Sequence, residues 1–402
     1  ELKQDQNPLA ISAARAMLQY DSAAGVVMLE KIKKNLDEQG GSGHENVLRQ
    51  YQVNDWLHSL KVNQRGAGEA LLQASIDKLE EFYLINKLSY GCEIENRARI
   101  MRSDFPFANP LMPIIEEDLH QRQGLDSLTE LYFRLYLTTK YENEESYFDQ
   151  LVQVVKETPP EEIEPQELRG IYLATINIGL RKMRAQPEKY GSVCLELYER
   201  GITTKVLFEN GQLSEWTYQN AIRLGLRAER YDWTEGFILH FNNFLPAQAQ
   251  RNALHSNLAE LYFYKEDYDE SLDHLNQINT SHFKYYINTK ILLIKVFYEK
   301  GEMEPCLHNL ASLTVYLSRR KDVTKAHRKG YQHFCQILYQ ITSSKSQRKV
   351  QKVKDKLRIT APMAERAWLH EVFQREHPRA WFLPKLPLLP INLKILQFSD
   401  RC

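Results

Sequence analysis

Between residues 232 and 317 the chain repeats itself at a spacing of 35 residues, and a period of that length restricts it to stacked supersecondary units. Trp233, Tyr268 and Met303 share one register position. Three residues on stand Gly236, Ser271 and Cys306, all small, and one step further Phe237, Leu272 and Leu307. The same stride carries Leu275 to Leu310 and Ile278 to Leu313. A unit of this length buries its apolar face only against its neighbours, so the expected unit is a pair of antiparallel helices. A small residue at the crossing lets two helix backbones approach, which explains how glycine, serine and cysteine share a position where leucine would force the pair apart.

The second unit spells out its parts. In Asn257-Leu258-Ala259-Glu260-Leu261-Tyr262 apolar and small residues fall at helical spacing, so Leu258, Ala259 and Tyr262 face neighbouring elements. Lys265-Glu266 makes a polar turn. Asp267-Tyr268-Asp269-Glu270 then opens a second helix with an acid at the N-cap and a glutamate three residues on, and Asp232-Trp233-Thr234-Glu235 repeats that start.

The order Asn257-Leu258-Ala259 with Tyr262, then Asp267-Tyr268, Ser271-Leu272 and Leu275, resembles the tetratricopeptide repeat. The resemblance is good over 252–286 and fair in the next unit. In the 217–245 unit the first helix is one residue out of step, Phe283 replaces the family's proline between units, and Ile294 stands where a small residue is usual. The resemblance implies an all-α, right-handed α-solenoid of such hairpins. It also implies a non-catalytic scaffold without cofactor, whose first helices line a concave groove for a partner protein or peptide. The groove-facing positions would be Ser256, Asn257, Glu260, Phe263, Tyr264, Ile291, Lys295 and Tyr298, a mixture of aromatic, aliphatic and charged groups suited to a peptide with apolar anchors. Phe263 and Ile291 are equally readable as packing against the adjacent unit. The family's clamp for carboxylate tails is not expected, since only Asn257 matches it while Glu260, Asn288 and Leu292 depart. Pentatricopeptide repeats also resemble these hairpins, but their base-by-base code needs polar selectors in many successive units, and only two or three units keep a register here.

Outside the repeat the chain divides into a helical segment over 1–60 with a Gly-rich loop near 40–43, divergent hairpins over 61–201, the repeats over 202–317, basic capping helices over 318–376 and a Pro-rich tail over 377–402. Residues 9–36 read as one or two helices. The break at Gly40-Gly41-Ser42-Gly43 reads as a flexible link or an altered loop. Leu72, Ile76, Leu79 and Tyr83, then Leu88, Ile94, Ala98 and Met101, predict two helices meeting near Gly91. Ser127-Leu128-Thr129-Glu130 starts another with a capping box, Pro159-Pro160 ends a hairpin, and Gly201 is placed to cap a helix.

Charge is balanced in total, 52 basic against 52 acidic residues, but not in distribution: 142–167 holds nine acids and one lysine, whereas 319–358 holds thirteen Lys or Arg and two Asp. Within the basic stretch Lys345, Arg348, Lys349, Lys352 and Lys356 recur at steps of three and four. They would lay a positive stripe on one helix face, usable by nucleic acid, an anionic membrane surface or an acidic protein, or else simply solvated. An RNA- or DNA-binding helical repeat is therefore the alternative function. The five cysteines lie far apart with no CxxC pair, which fits reduced thiols and a cytoplasmic location. No run of about 18 apolar residues exists, so no transmembrane helix is expected. Glu1 opens the chain without the cationic start and apolar core of a signal peptide, leaving removal of a preceding segment, and secretion, open.

HExxH, GxxxxGK[ST] and GxSxG are missing, and Gly66-Ala67-Gly68 precedes a helix without a phosphate-binding lysine. His370-Glu371 with His377 is the nearest approach to a metal motif, but its imidazoles stand nearly two turns apart. Glu161-Glu162-Ile163-Glu164 reads as a solvated turn at a helix start. No metal site is expected.

Overall fold

The structure is a computed structural model that describes residues 6–38, 42–101, 103–281, 283–319, 324–343 and 347–376. Among these it is all-helical apart from one two-residue hairpin, with packing mostly between neighbours in sequence. It divides into two compact units. The first runs through residue 181 and takes in 200–207, and the second comprises 182–199 and the described residues from 208 onward.

The first unit is built from α1 (Gln6–Tyr20), α2 (Ser22–Glu38), α3 (His44–Lys61), α4 (Ala67–Ile100), α5 (Met112–Gln121), α6 (Ser127–Lys140), α7 (Glu145–Glu157) and α8 (Pro165–Lys182). Ile11, Leu29, Ile32, Leu36, Val53 and Leu57 make one small core among α1, α2 and α3. Several local expectations are corrected here. Residues 67–100 are one helix of 34 residues, not two. Gly91 does not break it, because the Tyr136 ring lies where a Cβ would be, 2.9 Å away, so this glycine admits a neighbour. The cap of α6 is Asp126, whose side chain accepts the Thr129 amide at 2.9 Å, one residue before the expected Ser127.

The Gly-rich break is pinned where it is described. Ser42 donates its amide to the Glu162 carbonyl at 2.6 Å and accepts from the Glu164 amide at 3.0 Å, and a side chain at Gly43 would run into Glu164. The acidic run is thus only partly solvated, for Ile163 within it is buried. Residues 39–41 lie outside the described residues.

In the second unit come α9 (Pro187–Thr203, whose last turn belongs to the first unit), β1 (Phe208–Glu209), β2 (Gln212–Leu213), α10 (Glu215–Arg227), α11 (Tyr231–Phe241), α12 (Ala247–Tyr264), α13 (Tyr268–Asn276), α14 (Phe283–Glu299) and α15 (Met303–Arg319). α16 (Lys325–Ser343), α17 (Gln347–Ile359) and α18 (Arg366–Glu376) follow. Gly201 caps nothing, since α9 continues past it; a Cβ there would meet Leu207 at 2.8 Å and Tyr172 at 3.1 Å, contacts inside the first unit. Asn210 and Gly211, both at positive φ, turn β1 into β2, an Asn-Gly hairpin signal present in the sequence.

The repeat is visible in the turns of α10–α11, α12–α13 and α14–α15. Glu229, Glu266 and Gly301 occupy the left-handed region at φ 56, 62 and 75°. Around each, the following amide reaches back five residues: Arg230 to Gly225 at 3.0 Å, Asp267 to Tyr262 at 2.9 Å, Glu302 to Phe297 at 2.8 Å. The left-handed residue itself donates to Leu226, Phe263 and Tyr298 in turn. This is the same helix-terminating turn three times, satisfying carbonyls that have no intrahelical donor. Four residues beyond each capping position come Thr234, Ser271 and Cys306, all fully buried. The structural register is therefore 37 and then 35 residues.

Gly236 does not share the environment of Ser271 and Cys306: it is exposed, with nothing within 4 Å of a Cβ added there. Thr234 takes the crossing position instead, and a Cβ on Gly225 would meet its Oγ1 at 2.4 Å and Trp233 at 2.7 Å. The expected start at Asp232 is displaced likewise, for α11 begins at Tyr231, which puts the tryptophan on its third residue. Asp232-Trp233 imitates Asp267-Tyr268 in composition, but the turn that ends α10 decides where α11 begins. α11 is two residues longer than α13 and α12 one longer than α14, while the connection before α12, which carries a 3-10 turn over Asn242–Phe244, is one shorter than that before α14, and the sum is the two additional residues.

Candidate functional site

The first helices α10, α12 and α14 touch in succession, so they share one face. Ser256, Glu260 and Tyr264 are half-buried on α12, whereas Asn257 is buried and donates its amide to the Ala253 carbonyl at 2.6 Å. Phe263 and Ile291 belong to the core that runs from α12 to α18. On α14, Lys295 is buried and Tyr298 half-buried. At the end of α14 these positions are covered by the chain itself, Lys295 by Glu365 and Tyr298 by Trp368 of α18.

Glu299, at the last position of α14, organises that cover. Its Oε1 accepts the Trp368 indole N–H at 2.8 Å and one Arg375 N–H at 2.8 Å, while Oε2 accepts a second Arg375 N–H at 2.8 Å. A forked guanidinium–carboxylate pair fixes orientation as well as distance. One turn earlier, Lys295 Nζ donates to Glu365 at 3.1 Å and lies 4.6 Å from the centre of the Phe263 ring and 5.7 Å from Trp368. A buried ammonium requires such partners, one carboxylate and two ring faces. Tyr298 meets Trp368 edge to face at 5.4 Å. Burial, reinforced by Glu260, Glu365 and Glu371, holds the Tyr264 phenol well above its ordinary range.

The segment leading into α18 is held as tightly. His333 Nδ1 lies 2.7 Å from the Pro362 carbonyl, the Ala364 amide donates to Gly330 at 3.1 Å, and Arg366 donates to the carbonyls of Leu357 and Thr360. Below the polar contacts, Leu369, Val372 and Phe373 are buried. Sequence reasoning read α18 only as a terminal cap and missed Glu299, Glu365 and Arg375. Charged residues some 70 positions apart carry no local signal of their pairing.

The basic stripe is described in part. Lys345 lies outside the described residues, as do the side chains of Arg348 and Lys349, while Lys352 and Lys356 are exposed on α17 above buried Val353 and Leu357. His377 also lies outside the described residues, and among those described no group of three His, Cys, Asp or Glu is arranged to hold a metal. Cys92, Cys194, Cys306 and Cys335 are buried free thiols, and burial pushes those of Cys306 and Cys335 up to about 11. Cys402 lies outside the described residues.

Two polar clusters have no counterpart in the sequence reading. In the first unit, buried Glu167 takes His44 Nδ1 at 2.5 Å on one oxygen and the Tyr132 hydroxyl at 2.5 Å on the other, tying α3, α6 and α8. In the second, His255 and His274 face each other Nδ1 to Nδ1 at 3.0 Å, with Tyr262 stacked on His274 at 5.5 Å. One of those nitrogens carries the proton and the other accepts it.

No family model matches the chain, and neither a curated protein nor a solved structure is significantly similar to it. Among the described residues no helix is long and apolar enough to cross a membrane.

Proposed function

We propose that this chain is a non-catalytic scaffold of tetratricopeptide type, a right-handed stack of helical hairpins that holds a partner protein or peptide on the face made by α10, α12 and α14. The single observation behind this reading is the turn repeated at Glu229, Glu266 and Gly301, with Thr234, Ser271 and Cys306 at equivalent crossings, because it makes these three hairpins copies of one unit. Support also comes from α18: it is a helix already seated on that face by an aromatic anchor and a forked arginine, the two residue types that dominate binding hot spots. With Lys295, Phe263, Tyr264 and Tyr298 engaged internally, the partner-facing positions are Ser256 and Glu260, and the expected setting is the cytoplasm.

Affinity isolation from the native cell with wild-type chain and with Glu260→Arg tests this. Loss of a captured partner in the variant, with helicity unchanged by circular dichroism, supports the placement; equal capture overturns it. A second reading, nucleic-acid binding along α17, is favoured by the exposure of Lys352 and Lys356 one turn apart. Salt-sensitive retention on nucleic acid that Lys352→Glu with Lys356→Glu abolishes would establish it, and no retention by wild type at moderate salt would end it.

A further inference from the structure

The longest helix, α4, carries a second surface, independent of the repeats. Leu72, Ile76, Leu79, Tyr83 and Tyr90 are spaced four, three, four and seven residues apart, with Asn86 filling the remaining step, so the stripe alternates steps of four and three and stays on one helix face over five turns. The five apolar side chains are between 41% and 63% exposed, while the buried Leu84, Ile85 and Leu88 point to the other side of the helix. Beside the stripe lies the segment after α4, held there by Lys87 donating to Asn109. It shows the exposed rings of Phe105 and Phe107, 4.8 Å apart.

We infer that this stripe is a dimer seam, occupied by α4 of a second copy of the chain running antiparallel. A straight apolar stripe that alternates steps of four and three is matched along its length by a second helix bearing the same stripe and not by an extended peptide, and a polar asparagine within such a seam sets register. The rim charges select the direction. Glu69 caps its own helix and Arg97 pairs with Glu93 at 2.6 Å, which leaves Glu80 and Lys87 on either side of the helix midpoint and on one edge of the stripe; parallel copies set like on like there, while antiparallel copies set Glu80 against Lys87 twice over. Area agrees. At about 150–250 Å² for an aromatic side chain, four half-exposed rings and three aliphatic groups present on the order of 700 Å², close to the roughly 800 Å² each partner contributes to a standard interface.

Sedimentation of the full chain between about 1 and 100 µM tests this. The wild type is expected to dimerise within that range. Leu79→Glu should be monomeric throughout with unchanged circular dichroism, since residue 79 is exposed in the monomer. Glu80→Lys should weaken association at least tenfold, and adding Lys87→Glu should restore it, because the swap regenerates the antiparallel pairs. A wild type that stays monomeric at 100 µM, a dimer indifferent to Leu79→Glu, or a swap that fails to restore association overturns the inference. The groove proposal for the second unit is untouched by any of these outcomes.

Discussion

In the hairpins from α10 to α15, each second helix sets its fourth residue, Thr234, Ser271 or Cys306, which is also its first buried one, into a crossing where it is fully buried. On α4, apolar residues of equally regular spacing stand in solvent. Both stretches have a well-formed apolar stripe. What separates them is the neighbour: the hairpins meet the next unit of the same chain, whereas α3, α5 and α6 all gather on the other sides of α4. Amphipathic spacing specifies a face to be covered and leaves open what covers it.

The sharpest way to break this comparison is to truncate both sides of α4. Leu88→Ala, at a fully buried position, should cost about 2–5 kcal/mol. Leu79→Ala, in dilute protein, should cost less than about 1 kcal/mol. Urea denaturation checks both, and equal losses would mean that the stripe is covered within the monomer.

At the crossings, Ser271→Leu should destabilise by about 1–3 kcal/mol through overpacking, and it also loses the bond from Ser271 Oγ to the Ala259 carbonyl at 2.8 Å. Glu299→Gln, which leaves Arg375 and Trp368 without their shared carboxylate, should cost about 1–3 kcal/mol and raise amide exchange in α18 more than in α13. By contrast Gly236→Ala should stabilise by about 0.5–1 kcal/mol, because the position is an open helix interior. A loss there would restore Gly236 to the crossing and sink the 37-residue register.

The smallest effect is on pH. Burial, then His274 and Arg251, lowers the His255 pKa below its ordinary 6.5. As pH falls below 6.5 the unfolded chain binds a proton that folded His255 refuses until its own lower pKa is reached, so stability declines through that window and is flat above it. Thermal melts of wild type and His255→Phe between pH 7.5 and 5 should diverge only at the acid end.

How much was legible varies by residue. Asp267 was read as the cap of α13, and its side chain does accept the Glu270 amide at 3.3 Å. The helix opening at Ser127-Leu128-Thr129-Glu130 was legible too, because polar capping residues stand directly before its apolar positions. Lys265-Glu266 is a turn as its polarity predicts, but the shared left-handed conformation was not legible, since that position is glycine only at Gly301 and glutamate at 229 and 266, which no composition rule flags. Of the site, the positions on α12 and α14 were placed on helices correctly, but their surroundings were not legible. Lys295 was read as facing a partner and is matched by Glu365, Phe263 and Trp368.

The sequence by itself determined an all-helical chain, with hairpins as its unit between 217 and 317 and with apolar stripes on known sides of known helices. These depend on contacts within one or two helical turns, where 3.6-residue geometry ties residue spacing to direction. Only the tertiary structure decided that Thr234 and not Gly236 lies in a crossing, that α18 meets α14 through Glu299, and that among the described residues the stripe on α4 stays exposed. Those outcomes depend on which distant segments compete for the same surface, and helical spacing is silent about competitors some 70 residues away.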